Sequence, residues 1–431
     1  MLFKKIVFYK IFPAVILYYI ISLQALYGNN LDTVKQLRKL AVVGDADACL
    51  KLGNIYYYGK GIPQDTYTAF KWYNDAAYQG NAAAKFNLAI CYDQGIGTDQ
   101  NKIKALQWYK KAADSGVLQA KYNMALFYID GAKIPTDAGD VVFEADSRKA
   151  IKLLKECGRL DFSPANRELA KMYFEGKKVK IDREYGMTFL LKAVAGKDPE
   201  SFYILARIYI DEGEKYKKIV PLLQYAADNN IIEAYEILGI YYETGRGVEQ
   251  NTKTAFKYYL MAAENGVATA QARVGEYYTK GNIVKENIWD ARYWFNKAAQ
   301  QKEPYALFML GTFAEQGIGE EPNKIKAFKY FMQSAQLGFE KAQYNLATYY
   351  SNGTNIGQDN DMAIYWFRKA ALQMDPQAQR ELGFHYISGE GLKQSYNFGL
   401  NWLNAAKDRG DVKAQSYMQS IFISPQSIVR K

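Results

Sequence analysis

A period of 36 residues runs through this chain of 431 residues and limits the folds that it can adopt. The stretch "AKFNLAICYDQG" at 84–95 is echoed by "AKYNMALFYIDG" at 120–131 and by "AQYNLATYYSNG" at 342–353. With the first alanine as place zero, successive units start 36 residues apart, except for one step of 45 and one of 33. Such a period is typical of a stack of similar units rather than of one globular core. The units start at Ala48, Ala84, Ala120, Ala165, Ser201, Ala234, Ala270, Ala306, Ala342 and Ala378, with a last half-unit from Ala414.

Each unit has the pattern of two helices joined by a turn. In its first half, a small residue, a leucine and a tyrosine recur at places zero, four and eight, which share one face of a helix. In its second half, as in "AFKYYLMAAENG" at 255–266, a small residue precedes two aromatic residues and an Ala-Ala pair, again with helical spacing. A glycine at place eleven predicts a left-handed cap that ends the first helix. These glycines are Gly59, Gly95, Gly131, Gly176, Gly245, Gly281, Gly317, Gly353 and Gly389.

The order Ala-x-x-x-Leu-Gly-x-x-Tyr, then Gly-x-Gly, then Ala-x-x-Trp-Tyr-x-x-Ala-Ala-x-x-Gly resembles the Sel-like repeat (SLR) family, a relative of the tetratricopeptide repeat. The clearest copy is "AYEILGIYYETGRGVEQNTKTAFKYYLMAAENG" at 234–266. The resemblance implies an all-α, right-handed α/α superhelical solenoid of about ten helix-turn-helix units over residues 48–413. Residues 26–47 and 414–431 would then supply capping helices, because an open stack leaves its two end faces exposed.

The first 25 residues follow a different pattern. Two lysines precede an apolar run at 11–21, which is followed by a Ser-Leu-Gln-Ala stretch. This order is typical of a secretory signal peptide, so we expect residues 1–25 to be removed and the mature chain to begin near Leu26. The run is shorter than the roughly 20 residues of a spanning helix, and an uncleaved anchor that includes residues 6–9 is the alternative. No later stretch is predicted to cross a membrane, and we expect an exported bacterial protein, periplasmic or secreted.

The sequence offers little material for catalysis or for metal binding. Cys49, Cys91 and Cys157 are too few and too unevenly spaced for a disulfide framework or a zinc site, and buried thiols are favoured over a Cys49–Cys91 bridge. His385 is the single histidine and occupies place seven, where other units carry Tyr or Phe, so we predict a packing role. The Gly-x-Gly loops join two helices, whereas a phosphate-binding loop follows a strand and opens a helix. We predict no catalytic site, no metal site and no cofactor.

A set of polar residues indicates binding. Places two, three and six lie away from the stripe at places zero, four and eight, so we expect them on the concave face of a solenoid, where partners commonly bind. In the related tetratricopeptide repeats, the asparagine of a Tyr-Asn-Leu stretch can bind a peptide backbone, and the stretches at 86–89, 122–125 and 344–347 match it. The alternative is that asparagine is merely tolerated at an exposed position. The predicted partner-binding residues are Asn54, Asn87, Asn123, Arg273 and Asn345.

The middle of the chain carries a local excess of positive charge. Residues 148–218 contain 17 Lys or Arg against 11 Asp or Glu, while the net charge of the whole chain is +10. The pattern is also irregular here, with an insertion near 137–145 and a shortened unit from Ser201. These units have either drifted or offer a basic surface to an acidic partner, and nucleic acid is disfavoured because the aromatic residues belong to the core stripes. The candidate basic surface is Lys171, Lys177, Lys178, Lys180 and Arg183.

Together these features predict an exported, monomeric, non-enzymatic scaffold that binds a protein or peptide on its concave face. Members of the SLR family with signal peptides act in the bacterial envelope or outside the cell, often between intracellular bacteria and their hosts, so the resemblance implies a role in host interaction or virulence. A periplasmic adaptor for envelope assembly and a lumenal adaptor in eukaryotic quality control are alternatives. An enzyme acting on beta-lactams or glycans is a further alternative, but the chain lacks the regularly paired cysteines of the SLR proteins linked to beta-lactam hydrolysis.

Overall fold

The computed structural model describes residues 30–134, 141–176, 179–353 and 357–423. Within these residues the chain forms 22 α-helices, nearly all of them 13 residues long. The chain divides into two compact units between Leu205 and Ala206, and each unit is described by itself. Within each unit, helices that follow each other along the chain pack side by side. This arrangement confirms the predicted helical repeat.

First and second helices of the repeat alternate along the chain. The first unit holds α1 (Asn30–Val42), α2 (Ala46–Tyr58), α3 (Thr66–Tyr78), α4 (Ala82–Gln94), α5 (Lys102–Asp114), α6 (Leu118–Asp130), β1 (Ala132–Ile134), β2 (Val141–Phe143), α7 (Ser147–Arg159), α8 (Ser163–Glu175) and α9 (Arg183–Ala195). The division falls within α10 (Pro199–Asp211). The second unit holds α11 (Tyr216–Asp228), α12 (Ile232–Thr244), α13 (Thr252–Glu264), α14 (Ala268–Lys280), α15 (Ile288–Gln300), α16 (Pro304–Gln316), α17 (Lys324–Gln336), α18 (Glu340–Asn352), α19 (Asn360–Leu372), α20 (Pro376–Ser388), α21 (Tyr396–Asp408) and α22 (Val412–Ile423).

Polar residues start the second helices and tie them to the first. The side chain of Asn251, just before α13, accepts a hydrogen bond from the N–H of Thr254 at 3.0 Å. The N–H of Asn251 in turn donates to the carbonyl oxygen of Tyr242, at place eight of α12, at 2.8 Å. One residue therefore caps one helix and closes the turn from the other. The same pair of bonds recurs, with the place-eight residue of each unit, at Asp65, Asn101, Asp146, Asp182, Asn287, Asn323, Asp359 and Ser395.

Glycine ends most of the first helices, as predicted. Gly245 lies in the left-handed region at φ 69° and ψ 24°, and its N–H donates to the carbonyl oxygen of Tyr241. Gly131 combines φ 67° with ψ 179°, so the chain leaves α6 in an extended direction and enters an antiparallel hairpin in which Ala132 faces Phe143. The prediction of a left-handed cap at Gly131 is therefore wrong, because the longer connection here leads away from the helix before it returns. The hairpin is an addition to the all-α repeat that the sequence pattern did not predict.

Close packing between the two helices of a unit depends on small residues. Ala234 and Leu238 of α12 are fully buried, and the ring of Tyr259 from α13 lies against Gly239. A Cβ atom on residue 239 would lie 2.8 Å from that ring, so only glycine lets the ring sit on the helix backbone. The two helices can therefore pack closely at this position. The same contact joins Gly53 to Tyr73, Gly275 to Phe295 and Gly311 to Phe331.

The three cysteines are buried free thiols. Burial raises the pKa of Cys91 to about 12 and that of Cys157 to about 11. The pKa of Cys49 is also raised, by burial and by the nearby Asp75 carboxylate. Since the thiolate is the reactive form, these thiols are packing residues at neutral pH.

His385 packs at place seven of α20, as predicted. Its ring centroid lies 5.9 Å from that of Phe367 on α19. Its Nδ1 atom lies 2.9 Å from the carbonyl oxygen of Glu390, in the turn that follows the helix. The imidazole therefore connects a core ring to a turn.

Within the described parts of the chain, no helix is both long and apolar enough to span a bilayer. In the same parts, no group of three or more His, Cys, Asp or Glu side chains is arranged to hold a metal ion. Residues 1–25 lie outside the described residues, so the signal peptide and its alternative, an uncleaved anchor, stay predictions.

Candidate functional site

The candidate site is the face of the first helices that carries places three, six and ten. Place two, which was predicted for the same face, is instead buried against the next repeat at Arg167 and Arg380. In α14 these places hold Arg273, Glu276 and Lys280. The Glu276 carboxylate lies 3.0 Å from Arg273 Nη1 and 2.6 Å from Lys280 Nζ. Burial raises the pKa of Glu276, but the two cations lower it more, so that the pKa lies below its ordinary value. Both cations are exposed beyond the carboxylate, and their remaining N–H groups can donate to a partner.

Tyrosine hydroxyls from the helix pairs meet half-buried carboxylates at the edge of this face. Tyr259 of α13 and Tyr277 of α14 both donate to the carboxylate of Glu243, at 2.8 and 3.0 Å. Burial raises the pKa of Tyr259, and the hydrogen bond to Glu243 raises it further. The hydroxyls therefore stay protonated at neutral pH and hold the carboxylate in place. Tyr349 of α18 donates to Glu315 of α16 in the same way, at 2.8 Å.

Two of the predicted asparagines are also partners of tyrosines. The Tyr109 hydroxyl of α5 hydrogen-bonds to the Asn123 side chain and donates to Asp93 Oδ2 at 3.2 Å. The Tyr73 hydroxyl of α3 donates to Asn54 Oδ1 at 2.8 Å. Each of these two amides therefore already supports a tyrosine within the protein, which leaves it with fewer free groups to offer a ligand.

Asn87 and Asn345 differ from the other asparagines. Both lie half-buried at place three of a first helix, and neither amide makes a hydrogen bond to another group in the described part of the chain. An asparagine side chain carries two donors and an acceptor, a combination that matches a peptide group. They belong to the first and the second unit, respectively. Each is a candidate partner contact on its own helix.

Lys171 of α8 belongs to a partly buried ion network, which the sequence analysis did not predict. Its Nζ atom lies 2.9 Å from Glu200 and 3.3 Å from Glu168. Burial lowers the pKa of Lys171, but the two carboxylates raise it more, so the net direction is upward. Arg167 is 5% exposed, and its Nη1 lies 2.5 Å from Asp198 Oδ1. The network joins α8 to the start of α10, so Lys171 offers little charge to a partner.

Two other members of the candidate basic surface lie near the start of α9. Lys180 and Arg183 are exposed, while Lys177 and Lys178 lie outside the described residues. A basic surface at this turn stays a prediction.

The place-nine carboxylates were missed in the sequence analysis, although they carry a detectable signal. Asp93, Glu243 and Glu315 occupy the same place in three units, and each accepts a hydrogen bond from a tyrosine. An alignment of the units by their period would show an acid at place nine next to tyrosines at fixed distances along the chain. The signal was overlooked because a single carboxylate on a helix is usually a solvated residue.

The Sel1 repeat family model matches nine stretches of the sequence, well over half of the chain in all. The chain belongs to the Sel1 repeat family. The stretches are 46–81, 82–117, 118–156, 163–198, 232–267, 268–303, 304–339, 340–373 and 376–411. The match confirms the resemblance to SLR proteins, whose repeats generally build scaffolds for protein–protein interaction. The shortened unit, which folds as α10 and α11, lies between two matched stretches.

A solved structure supports the same fold. The chain is similar to c5321, a protective antigen present in uropathogenic Escherichia coli strains that displays an SLR fold: identity is 26%, the TM-score is 0.72, and the match covers 92% of this chain and 84% of that one. It is also similar to a Sel1 repeat protein from Oxalobacter formigenes, with 27% identity, a TM-score of 0.48, and coverage of 51% of this chain and 90% of that one. No curated protein matched the sequence.

Proposed function

We propose that this Sel1 repeat chain is an exported, non-enzymatic scaffold that binds an extended segment of a partner protein on the first-helix face defined by places three, six and ten. The observation that carries the proposal is the pair of amides on Asn87 and Asn345, which have no partner in the described part of the chain. Both sit at the same place of the repeat as Arg273, whose guanidinium is exposed.

The physical basis is a match between fixed side chains and a peptide backbone. A peptide in extended conformation presents N–H and C=O groups at regular intervals, and an asparagine amide can pair with one of each. The amides lie on helices that are packed along their length, so little side-chain and backbone freedom remains to be lost on binding. Tyrosines held by carboxylates, such as Tyr259 and Tyr277 on Glu243, stiffen the edge of the same face.

Two further observations support export and contact with a host. The signal-like pattern of residues 1–25 predicts export, and the similar protein c5321 is a protective antigen of uropathogenic strains. A periplasmic adaptor for envelope assembly would use the same face. The two roles differ in the compartment of the partner, which an experiment can identify.

The test is affinity capture with residues 26–431 as bait, followed by mass spectrometry of the bound proteins. We expect the Asn87→Ala, Asn345→Ala double variant to lose a partner that the unchanged chain retains. The matched control is Asn397→Ala with Asn401→Ala, since both of these asparagines are exposed on the second helix α21. A host protein among the lost partners favours the host-contact role, and an envelope protein favours the adaptor role.

Retention of every partner by the Asn87→Ala, Asn345→Ala variant would overturn the first-helix face as the binding surface. Turnover of a beta-lactam or a glycan by the purified chain, abolished by a single polar substitution, would overturn the non-enzymatic assignment.

A further inference from the structure

A groove of about 660 Å³ opens between α7 and α9, the second helices of two neighbouring repeats, with the start of α8 at its floor. Its volume lies within the range of roughly 300–1,000 Å³ that is typical of ligand sites. Gly158 of α7 stands where most units have the second residue of their Ala-Ala pair. A Cβ atom at this position would lie 2.5 Å from Asn166 Oδ1, so glycine makes room for the Asn166 amide in the groove.

The floor of the groove holds a polar side chain that makes no hydrogen bond to the part of the chain that the structure describes. Asn166 is 6% exposed and lines the groove, and its amide makes no hydrogen bond within the described residues. The neighbouring Ser163 differs, because its hydroxyl donates to the carbonyl oxygen of Gly196 at 3.1 Å. The Asn166 amide therefore offers both donors and an acceptor to a ligand in the groove.

The walls combine aromatic rings with cations. The rings of Tyr185 and Phe189 on α9 meet edge to face, with centroids 4.8 Å apart. Lys155 Nζ lies 5.5 Å from the Tyr185 centroid, and Lys192 Nζ lies 5.5 Å from the Phe189 centroid.

A third cation, Arg159, lines the same groove, together with one carboxylate from Asp161. None of the three cations forms an ion pair in the described part of the chain. The lining therefore has an excess of positive charge that is not neutralised by the protein itself, and it attracts acidic groups.

We propose that this groove binds an acidic peptide segment of a partner protein. One peptide group of the segment pairs with Asn166, and its carboxylates lie among Lys155, Arg159 and Lys192. A free phosphate or sulfate offers mainly acceptors and would leave Asn166 Oδ1 unpaired, whereas a peptide group offers a donor and an acceptor. The inference rests on the proposed scaffold function, but it places a second contact on the second helices.

A comparable groove in the second unit provides the internal control. It lies between α17 and α19 and uses the same positions of the repeat, with Lys369 Nζ 5.4 Å from the Trp366 ring. Met332 and Gln336 stand there at the positions of Lys155 and Arg159. This groove therefore has the aromatic wall and one cation, but not the excess of positive charge.

The test uses an array of 12-residue peptides that contain Asp and Glu, paired with copies in which these residues are Asn and Gln. The array is probed with residues 26–431, and the best peptide is measured by fluorescence anisotropy. We expect the Arg159→Gln, Lys192→Gln variant to bind at least about tenfold more weakly, since charge-assisted hydrogen bonds are lost. The Arg368→Gln, Lys369→Gln variant has the same change in charge and should bind normally.

Asn166→Leu separates binding from folding. Its thermal unfolding should change little, because the Asn166 amide makes no hydrogen bond within the described residues, while peptide binding should fall. The proposal is overturned if acidic peptides bind the groove variant as well as the unchanged chain, if both double variants lose affinity equally, or if inorganic phosphate displaces the peptide at equal concentration. Loss of binding in the Asn87→Ala, Asn345→Ala variant alone would support the first-helix face and contradict the groove.

Discussion

Two junctions between neighbouring repeats use the same pair of positions, but one junction is ionic and the other is aromatic. In the first compact unit, Arg167 at place two of α8 pairs with Asp198, which lies three residues before the start of the next repeat. In the second unit, Phe308 at place two of α16 packs on Phe339, at the equivalent position, with ring centroids 5.1 Å apart. The difference shows that the repeat constrains where neighbouring units touch, while the chemistry of the contact is free to vary as long as both partners change together.

Among the described residues, each version is found at two junctions. The aromatic version recurs at Tyr122 and Phe162, with centroids 5.4 Å apart, and the ionic version recurs at Arg380 and Asp411, with Nη1 and Oδ2 2.6 Å apart. An aromatic junction gains stability from the area that it buries. An ionic junction depends on complete pairing, because a buried charge without its partner is strongly destabilising.

The largest expected effect comes from breaking the buried ion network. Arg167→Met leaves the Asp198 and Glu200 carboxylates without their main counter-charge and should lower the free energy of unfolding by about 3–5 kcal/mol. Urea unfolding followed by circular dichroism measures the loss. Arg183→Met, at an exposed arginine, should change stability by no more than about 0.5 kcal/mol. Equal effects of the two substitutions would contradict the network.

The aromatic junction should respond more weakly and without dependence on pH. Phe308 is half-buried, so Phe308→Ala should cost roughly 2–3 kcal/mol, less than the loss of a fully buried phenylalanine. The same urea titration at pH 7 and at pH 4 should give the same difference between the variant and the unchanged chain. A loss that changes with pH would show that charged groups share this junction.

The smallest effect is a loss of stability in acid that is specific to the ionic junction. Burial raises the pKa of Glu200, but Arg167 and Lys171 lower it more, so the folded-state pKa lies below the ordinary value of 4.5. The stabilisation is therefore complete above about pH 4.5 and is lost as the pH falls through the lower, folded-state value. Melting temperatures between pH 7 and pH 3 should fall less steeply for Glu200→Gln than for the unchanged chain. Parallel curves would exclude Glu200 as a source of the acid sensitivity.

The helical repeat could be predicted from the sequence because its determinants are local. Asn251 caps a helix through a residue three positions away, and Gly245 ends a helix through its own backbone conformation. Gly131 occupies the same place eleven as Gly245, yet its ψ angle follows the inserted connection rather than the repeat. A cap glycine specifies that the helix ends but not where the chain goes next.

The candidate site could be predicted only in part, because contacts between neighbouring repeats join residues that lie about 30 positions apart in the sequence. From the pattern of its own helix, Lys171 is expected to face solvent. No residue of that helix indicates that Glu200 lies beside it. Asn123 matches a peptide-binding pattern, but its partner is Tyr109 of the preceding second helix. Asn87 and Asn345 lie in nearly the same local sequence as Asn123. They differ from Asn123 in the residues that surround their amides.

The placement of the junction residues also has a consequence for the history of the chain. Arg167 and Asp198 lie within a single matched block, 163–198, and Arg380 and Asp411 lie within another, 376–411. The aromatic pair of Phe308 and Phe339 is likewise contained in the block 304–339. A duplication or deletion of one such block in the gene moves or removes both members of a pair at once. Relatives with different numbers of repeats can therefore arise in one genetic step that keeps the two members of such a pair together.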